Sequence, residues 1–131
     1  KSYIFNDTIK KNILFGEVSS KSDNKKLFNI LKKTEISKFI KSLPKGINTI
    51  CRDSGKNFSG GQSQRIAIAR SLYSSYEILI MDEATSALDE ATEEKVFKNL
   101  KKDNSQAIIF VSHNKKLIKY CDHFYDFSKK K

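Results

Sequence analysis

Apolar residues in the first half of the chain recur at helical spacing. In residues 25–33 they lie three and four positions apart, at Leu27, Ile30 and Leu31, which predicts an amphipathic helix. A second helix is predicted directly after it, and the turn-forming residues 44–46 end it. The apolar face of this second helix comprises Ile36, Phe39, Ile40 and Leu43.

The second half of the chain has a different pattern. Residues 78–81 and 107–111 are unbroken apolar runs of strand length, which is typical of strands buried on both faces of a parallel sheet. Between them, residues 90–100 have helical spacing, with acidic residues early and lysines late, as the helix dipole favours. We also predict a short helix at 114–120 and a third strand at 123–127. This alternation indicates parallel α/β units.

The pattern divides the chain into three predicted parts. Residues 1–15 are expected to be a short extended segment followed by a turn of helix, residues 16–75 a helical subdomain, and residues 76–131 one half of an α/β core. Within the helical subdomain, residues 16–24 and 49–57 are rich in polar and turn-forming residues, so both are predicted to be loops.

Composition narrows the class of protein. The 131 residues allow one domain at most, and no apolar run approaches the roughly 20 residues that a membrane span needs. The net charge of +10 fits either a nucleic-acid partner or a lysine-rich solvated surface. Scattered lysines and only three arginines favour the solvated surface. Cys51 and Cys121 match no metal-binding spacing and are expected to be free thiols in a reducing compartment.

Charged side chains follow both predicted strands at the point where each ends. Asp82 and Glu83 come directly after residues 78–81, and His113 follows the second strand. Because ligands bind at the carboxyl ends of parallel strands, we expect the three side chains at one edge of the sheet. An aspartate there suits Mg²⁺, and a glutamate suits the activation of water. Taken alone, this acidic pair is more typical of residues that cap a turn.

A second candidate site lies at a predicted helix start. Ser59 and Gln62 are spaced as a capping box, and the two glycines between them leave backbone amides uncovered. The dipole of the helix points at this end, so an anion is the natural ligand. A capped helix with no ligand is an equally good interpretation of this motif alone.

The motifs occur together in a fixed order. Ser-Gly-Gly-Gln-x-Gln-Arg at 59–65 is followed by Asp-Glu at 82–83, Ala-Thr-Ser-Ala-Leu-Asp at 84–89 and Val-Ser-His at 111–113. This series resembles the ABC ATPase family in both order and spacing. The fold class is therefore expected to be α/β, specifically part of an ABC-type P-loop ATPase domain.

The resemblance implies a role for individual residues. The ABC signature, which contacts nucleotide, would be formed by Ser59, Gly60, Gly61 and Gln62. Asp82 resembles the Walker B aspartate that holds Mg²⁺, Glu83 the catalytic glutamate, and His113 the switch histidine that reaches the γ-phosphate of ATP. Residues 86–89 resemble the D-loop, in which Asp89 would contribute to the nucleotide site.

The flanking residues resemble exporter-type transporters. The similar segments are residues 4–9, 12–13, 39–40 and 43–46. Phe58 stands where the family commonly has leucine, and residues 52–55, Arg-Asp-Ser-Gly, replace its usual Gly-Glu-x-Gly. The resemblance implies ATP and Mg²⁺ as cofactors, a second nucleotide-binding domain and transmembrane domains as partners, no nucleic acid, and a location at the cytoplasmic face of a membrane.

No Gly-x-x-x-x-Gly-Lys-Ser/Thr run, the loop that grips the phosphates, occurs in the sequence. We therefore expect a C-terminal fragment whose missing N-terminal half is a further partner, with negligible ATPase activity alone and a tendency to self-associate through open strand edges. Two alternatives stay open: an ABC-type ATPase that acts on DNA or RNA, and an interaction module without catalysis.

Overall fold

The computed structural model describes residues 3–15, 23–74, 76–102 and 106–127. Helices α1 to α4 precede a unit in which a helix connects two strands. The elements are α1 (Ile9–Leu14), α2 (Asp23–Lys33), α3 (Ser37–Ser42), α4 (Gly60–Tyr73), β1 (Ile78–Asp82), α5 (Glu90–Lys101) and β2 (Ala107–Val111), with single 3-10 segments at Gly46–Asn48, Asp53–Gly55 and Lys115–Tyr120.

Helix α4 organises the first half of the molecule. Its residues Ile66, Ala69 and Tyr73 are buried, as predicted, and pack against α1 and α2. We call the buried set around them the helical cluster. It comprises Ile4, Ile9, Ile13, Leu14, Leu27, Ile30, Leu31, Ile36, Ile40, Cys51, Ile66, Ala69 and Tyr73.

Arg70, between Ile66 and Tyr73 on α4, ties this helix to the start of the chain. Its guanidinium donates to the carbonyl oxygen and side-chain Oδ1 of Asn12, at 2.7 and 2.8 Å, and to the carbonyl oxygen of Tyr3 at 2.9 Å. The same group lies over the ring of Phe5, 4.9 Å from its centroid. Burial lowers the pKa of Arg70, yet these acceptors hold the charged form in place.

The two strands form a parallel sheet in which Ile78 pairs with Ala107 and Asp82 with Val111. Helix α5 connects them and packs on one face of this sheet. We call the resulting core the sheet cluster. It comprises Ile68, Leu79, Met81, Val96, Phe97, Leu100 and Leu117. Ile68 comes from α4, so that helix contributes to both clusters.

The prediction that both strands are buried on both faces is wrong. Alternate residues of each strand point away from α5 and are more than half exposed. They are Ile78 (57%), Ile80 (70%), Ile109 (56%) and Val111 (55%). Successive strand side chains point to opposite faces, and within the described residues only one face of the sheet is packed.

The predicted third strand is also wrong. Residue 123 is in a bend, 124–126 have no regular structure and 127 is in a turn, and Tyr125 and Phe127 are 84% and 94% exposed. The described backbone there makes no ladder with β2, because the sheet consists of β1 and β2 alone. Aromatic content suggested a strand, but a strand also needs a neighbour and a packed face.

The other predicted elements agree with the structure apart from their ends. Helix α2 begins at Asp23, so Asp23 and Asn24 are helical and not loop, while residues 16–22 lie outside the described residues. The helix predicted at 114–120 is a 3-10 helix, Lys115–Tyr120, capped by Asn114, and residues 49–57 are mostly irregular. The three-part division at 1–15, 16–75 and 76–131 stays a prediction.

Two further predictions concern sulfur and membranes. Cys51 and Cys121 are both free thiols, as expected, with Cys51 fully buried in the helical cluster. Among the described residues, no helix combines the length and the apolar character that a bilayer crossing requires.

Candidate functional site

Glu83, the residue that follows strand β1, has an unusual backbone conformation. Its φ of 45° is in the left-handed region, which costs a residue with a side chain about 1–2 kcal/mol. The amide of Glu83 donates to the carbonyl oxygen of Val111 at 3.1 Å, and its own carbonyl accepts from the amide of Ser86 at 3.1 Å. Non-glycine residues held in such conformations concentrate at functional sites.

The structure brings Glu83 and His113 together, as the sequence predicts. Nε2 of His113 lies 2.9 Å from Oε1 of Glu83. The side chains are 92% and 50% exposed, so the pair faces solvent at the edge of the sheet. Asp82, the last residue of β1, is exposed at the same edge. Two carboxylates and an imidazole can therefore face one ligand there.

The residues at this edge fit part of a magnesium site. Protein-bound Mg²⁺ is commonly held by one or two carboxylates together with substrate phosphates, and Asp82 can supply one such carboxylate. Within the described ranges, no group of three or more His, Cys, Asp or Glu side chains could hold a metal by itself. The donor set thus suits an ion that arrives with a phosphorylated ligand, not a resident ion.

The capping box predicted at the start of α4 is present. The amide of Gln62 donates to Oγ of Ser59 at 3.2 Å, and Oε1 of Gln62 accepts from the amide of Ser59 at 2.9 Å. The amides of Gly60 and Gly61 take no part in this box. Their position at the positive end of a 14-residue helix suits an anionic ligand.

Both glycines lie against the segment that follows Glu83. A Cβ atom on Gly60 would lie 3.2 Å from Cβ of Ala87, and one on Gly61 would lie 2.8 Å from the carbonyl oxygen of Ala87. Backbone oxygen cannot be displaced without moving the loop. A close approach between two chain segments is thus a second reason for glycine here, besides uncovered amides.

Gln64, which belongs to the motif at 59–65 but was given no role of its own, links the same two segments. Its Nε2 donates to Oγ of Ser86 at 3.1 Å, and its Oε1 accepts from the amide of Ala87 at 2.8 Å. Both polar atoms of the Gln64 side chain therefore bond to residues that lie 22 and 23 positions further along the chain. Nothing in the local pattern signals this contact, because the partners become neighbours only through the fold.

Asp89 serves locally as the N-cap of α5. Its Oδ1 accepts from the amide of Thr92 at 2.9 Å, and hydrogen bonds from the side chain and backbone of Thr92 lower the pKa of Asp89. The structure gives Gln62 and Asp89 capping contacts. Their predicted role in binding nucleotide stays a prediction, as do the roles of the other site residues.

A family model described as "ABC transporter" matches residues 2–86. The chain is 38% identical over 122 residues to the lactococcin-G-processing and transport ATP-binding protein LagD of Lactococcus lactis, covering 93% of this chain and 17% of that protein. It is 42% identical over 123 residues to the multidrug resistance-like ATP-binding protein MdlA of Buchnera aphidicola, covering 92% of this chain and 21% of that protein.

Solved structures give the same result. A bacterial Atm1-family ABC exporter with ATP bound is 37% identical, with a TM-score of 0.80 over 89% of this chain and 20% of that one. The chain therefore spans about a fifth of the length of the proteins it matches. The predicted fold class, part of an ABC ATPase domain with helices and a small parallel sheet, is confirmed.

Proposed function

This chain belongs to the ABC transporter family, and from that membership we propose that it forms part of the ATP-binding and ATP-hydrolysing domain of an exporter. The observation that carries the proposal is the Glu83–His113 pair at the end of β1. The relatives of this chain include a protein named as an exporter and proteins named for transport. Hydrolysis of ATP in such a domain would drive transport across a membrane, with the chain at the cytoplasmic face.

Glu83 is proposed to orient the attacking water and accept its proton. A carboxylate beside the reacting phosphate can do both. His113, within hydrogen-bond distance of Glu83, can fix the direction of that carboxylate with one nitrogen. When nucleotide is bound, the same N–H could instead donate to an oxygen of the γ-phosphate. The left-handed backbone at Glu83 supports this role, since residues held in such conformations concentrate at functional sites.

Asp82 is proposed to hold Mg²⁺ through water at the same edge. When bound, the ion neutralises charge on the β- and γ-phosphates. Ser59, Gly60 and Gly61 would present amides and a hydroxyl to the phosphates of a second ATP. In this arrangement two nucleotide-binding domains enclose nucleotide between them. The partners are thus a second such domain, transmembrane domains, and a segment that carries the phosphate-gripping loop.

The central test compares three variants in a version of the protein that includes a phosphate-gripping segment. We expect Glu83→Gln to lower ATP turnover about 100- to 10,000-fold, because it removes the proposed base. His113→Ala should lower it as well. Glu94→Gln, which changes an acid on α5 paired with Lys119, is the matched control and should leave turnover within twofold. Full turnover in Glu83→Gln would refute the proposal.

A companion measurement uses the 131-residue chain alone. Calorimetry with Glu83→Gln and Mg-ATP is expected to show no detectable binding, because no phosphate-gripping run is present in the sequence. Wild-type chain should show negligible turnover. Micromolar binding would mean that the site is completed in another way, for example by a dimer.

The second candidate function is an ABC-type ATPase that acts on DNA or RNA. The net charge of +10 is the observation that favours it. Such a protein should bind duplex DNA with a steep dependence on salt. Absence of salt-dependent binding at low ionic strength would leave the exporter as the remaining proposal.

A further inference from the structure

Glu93 is an acidic residue buried inside α5, at 7% exposure. Both of its carboxylate oxygens accept hydrogen bonds. Oγ1 of Thr85 donates to Oε1 at 2.6 Å, and Nδ2 of Asn114 donates to Oε2 at 2.7 Å. Removing a carboxylate from water is costly unless its oxygens are satisfied, and these two contacts satisfy one oxygen each.

The two donors belong to the loops that carry the proposed reacting side chains. Thr85 is two residues after Glu83, in a turn closed by the bond from the amide of Leu88 to the carbonyl of Thr85, at 2.9 Å. Asn114 is adjacent to His113, and its Oδ1 caps the following 3-10 helix by accepting from the amide of Lys116. Glu93 thus connects the loop after β1 with the loop after β2 through one hydrogen bond to each.

Packing of the exposed pair itself cannot fix its geometry. The side chain of His113 is 92% exposed and that of Glu83 is 50% exposed, so few neighbours constrain either one. Their 2.9 Å contact depends instead on where the two backbones lie. Thr85 is 4% exposed and Glu93 is 7% exposed, so neighbouring atoms constrain this link more than they constrain the pair.

We propose that Glu93 is a positioning residue that sets the distance between Glu83 and His113 by joining Thr85 to Asn114. The inference rests on the proposed function, because the pair matters for catalysis only if it acts on ATP. The bridge is a geometric property that can be measured without nucleotide. An apolar residue at this position would accept neither hydrogen bond and would release both loops.

The test compares Glu93→Leu with Glu93→Gln in the full chain. Leucine removes both acceptors at similar volume. Glutamine keeps the bridge, since its Oε1 can accept from Asn114 and its Nε2 can donate to Oγ1 of Thr85. The readouts are nuclear Overhauser contacts between the side chains of His113 and Glu83, and exchange of the Glu83 amide, which is bonded to the carbonyl of Val111.

In Glu93→Leu we expect the His113–Glu83 contact to be lost and exchange of the Glu83 amide to rise roughly 10- to 100-fold, as for a lost bond to a charged group. Amides within α4 should keep their exchange rates. Glu93→Gln should match the wild type in both readouts. A retained contact in Glu93→Leu, or an equal rise at every amide, would overturn the proposal, because the second result means global destabilisation only.

Thr85→Val and Asn114→Ala provide a second route if Glu93→Leu does not fold. Each removes one link and leaves the carboxylate in place, so each should loosen the Glu83–His113 contact in part. If neither does, the proposal is wrong. ATP turnover, measured in the version that includes a phosphate-gripping segment, tests the role of Glu93 separately from the proposed function. Glu93→Leu should lower kcat and leave KM within twofold. If Glu93→Leu loses the His113–Glu83 contact but the wild-type protein hydrolyses no ATP, the proposed function is wrong and the proposed role of Glu93 as a bridge still holds.

Discussion

The side chains of the helical cluster are buried more completely than those of the two strands that form the sheet cluster. Five isoleucines of the helical cluster, at 4, 9, 13, 36 and 66, are fully buried. In the sheet cluster, α5 covers one face of the two strands, while Ile80 on the other face is 70% exposed. Both regions have similar apolar content along the chain, so composition alone does not decide which side chains leave water.

This difference shows where the described chain is self-sufficient. Burial from water is the main favourable term in folding, and it is available only where another element supplies the second surface. In the helical cluster α1, α2 and α4 supply it for one another. The outer face of the sheet instead exposes an apolar surface beside the proposed reacting residues. Such a surface commonly marks a contact site or favours association.

The sharpest test of this comparison substitutes one isoleucine in each region. Ile66→Ala should lower the free energy of unfolding by about 2–5 kcal/mol, since it leaves a cavity at a fully buried position. Ile80→Ala removes the same atoms from an exposed position and should cost much less, within about 0.5 kcal/mol. Urea denaturation measures both. Equal losses would mean that the outer face of the sheet is covered in solution, for example by a second copy.

Arg70 provides the next largest expected effect. Arg70→Leu removes three hydrogen bonds to residues 3 and 12, and it should lower the free energy of unfolding by about 1.5–3 kcal/mol. Arg52→Leu changes an exposed arginine and is the matched control. Thermal unfolding of the two variants would show whether the closure of the helical cluster depends on this link. An effect of Arg52→Leu as large as that of Arg70→Leu would contradict it.

Gln64 connects the two regions, and its substitution should have a smaller and more local effect. Gln64→Leu is expected to cost about 1 kcal/mol and to raise amide exchange at Ala87, whose N–H it accepts. Gln64→Glu should restore protection, because a carboxylate can accept from both the amide of Ala87 and the hydroxyl of Ser86. Unchanged exchange at Ala87 in Gln64→Leu would show that packing against Gly61 holds the loop without this side chain.

The two cysteines differ in burial: Cys51 belongs to the helical cluster, and Cys121 follows the 3-10 helix Lys115–Tyr120. Burial raises the pKa of Cys51 to about 11, and it also raises the pKa of Cys121, which is only partly buried. The thiolate is the reactive form, so a raised pKa leaves less of it at pH 8. Cys51 is also fully buried, whereas Cys121 is partly exposed, so iodoacetamide should modify Cys121 first at pH 8. Faster modification of Cys51 at pH 8 would indicate that the helical cluster opens readily.

Local signals in the sequence predicted much of this structure. The capping box at Ser59 and the helical face of α4 depend on residues three or four positions apart, so spacing alone identifies them. The meeting of Glu83 and His113 followed from the rule that parallel strands share one edge. The exposed outer face was missed because burial depends on a cover that the strand sequence does not specify. Glu93 and Gln64 were missed because their partners lie 8 to 23 positions away.

The tight contact at Gly61 bears on how natural variants of this chain should be interpreted. Any side chain there would collide with the carbonyl oxygen of Ala87, 2.8 Å away. A harmful substitution at this glycine therefore has two separable origins: lost anion binding, or a displaced neighbouring loop inside the same polypeptide. Assigning every defect at this position to lost nucleotide affinity would confuse these two origins. Exchange of the Ala87 amide would tell the two apart, because only a displaced loop would free that amide from its bond to Gln64.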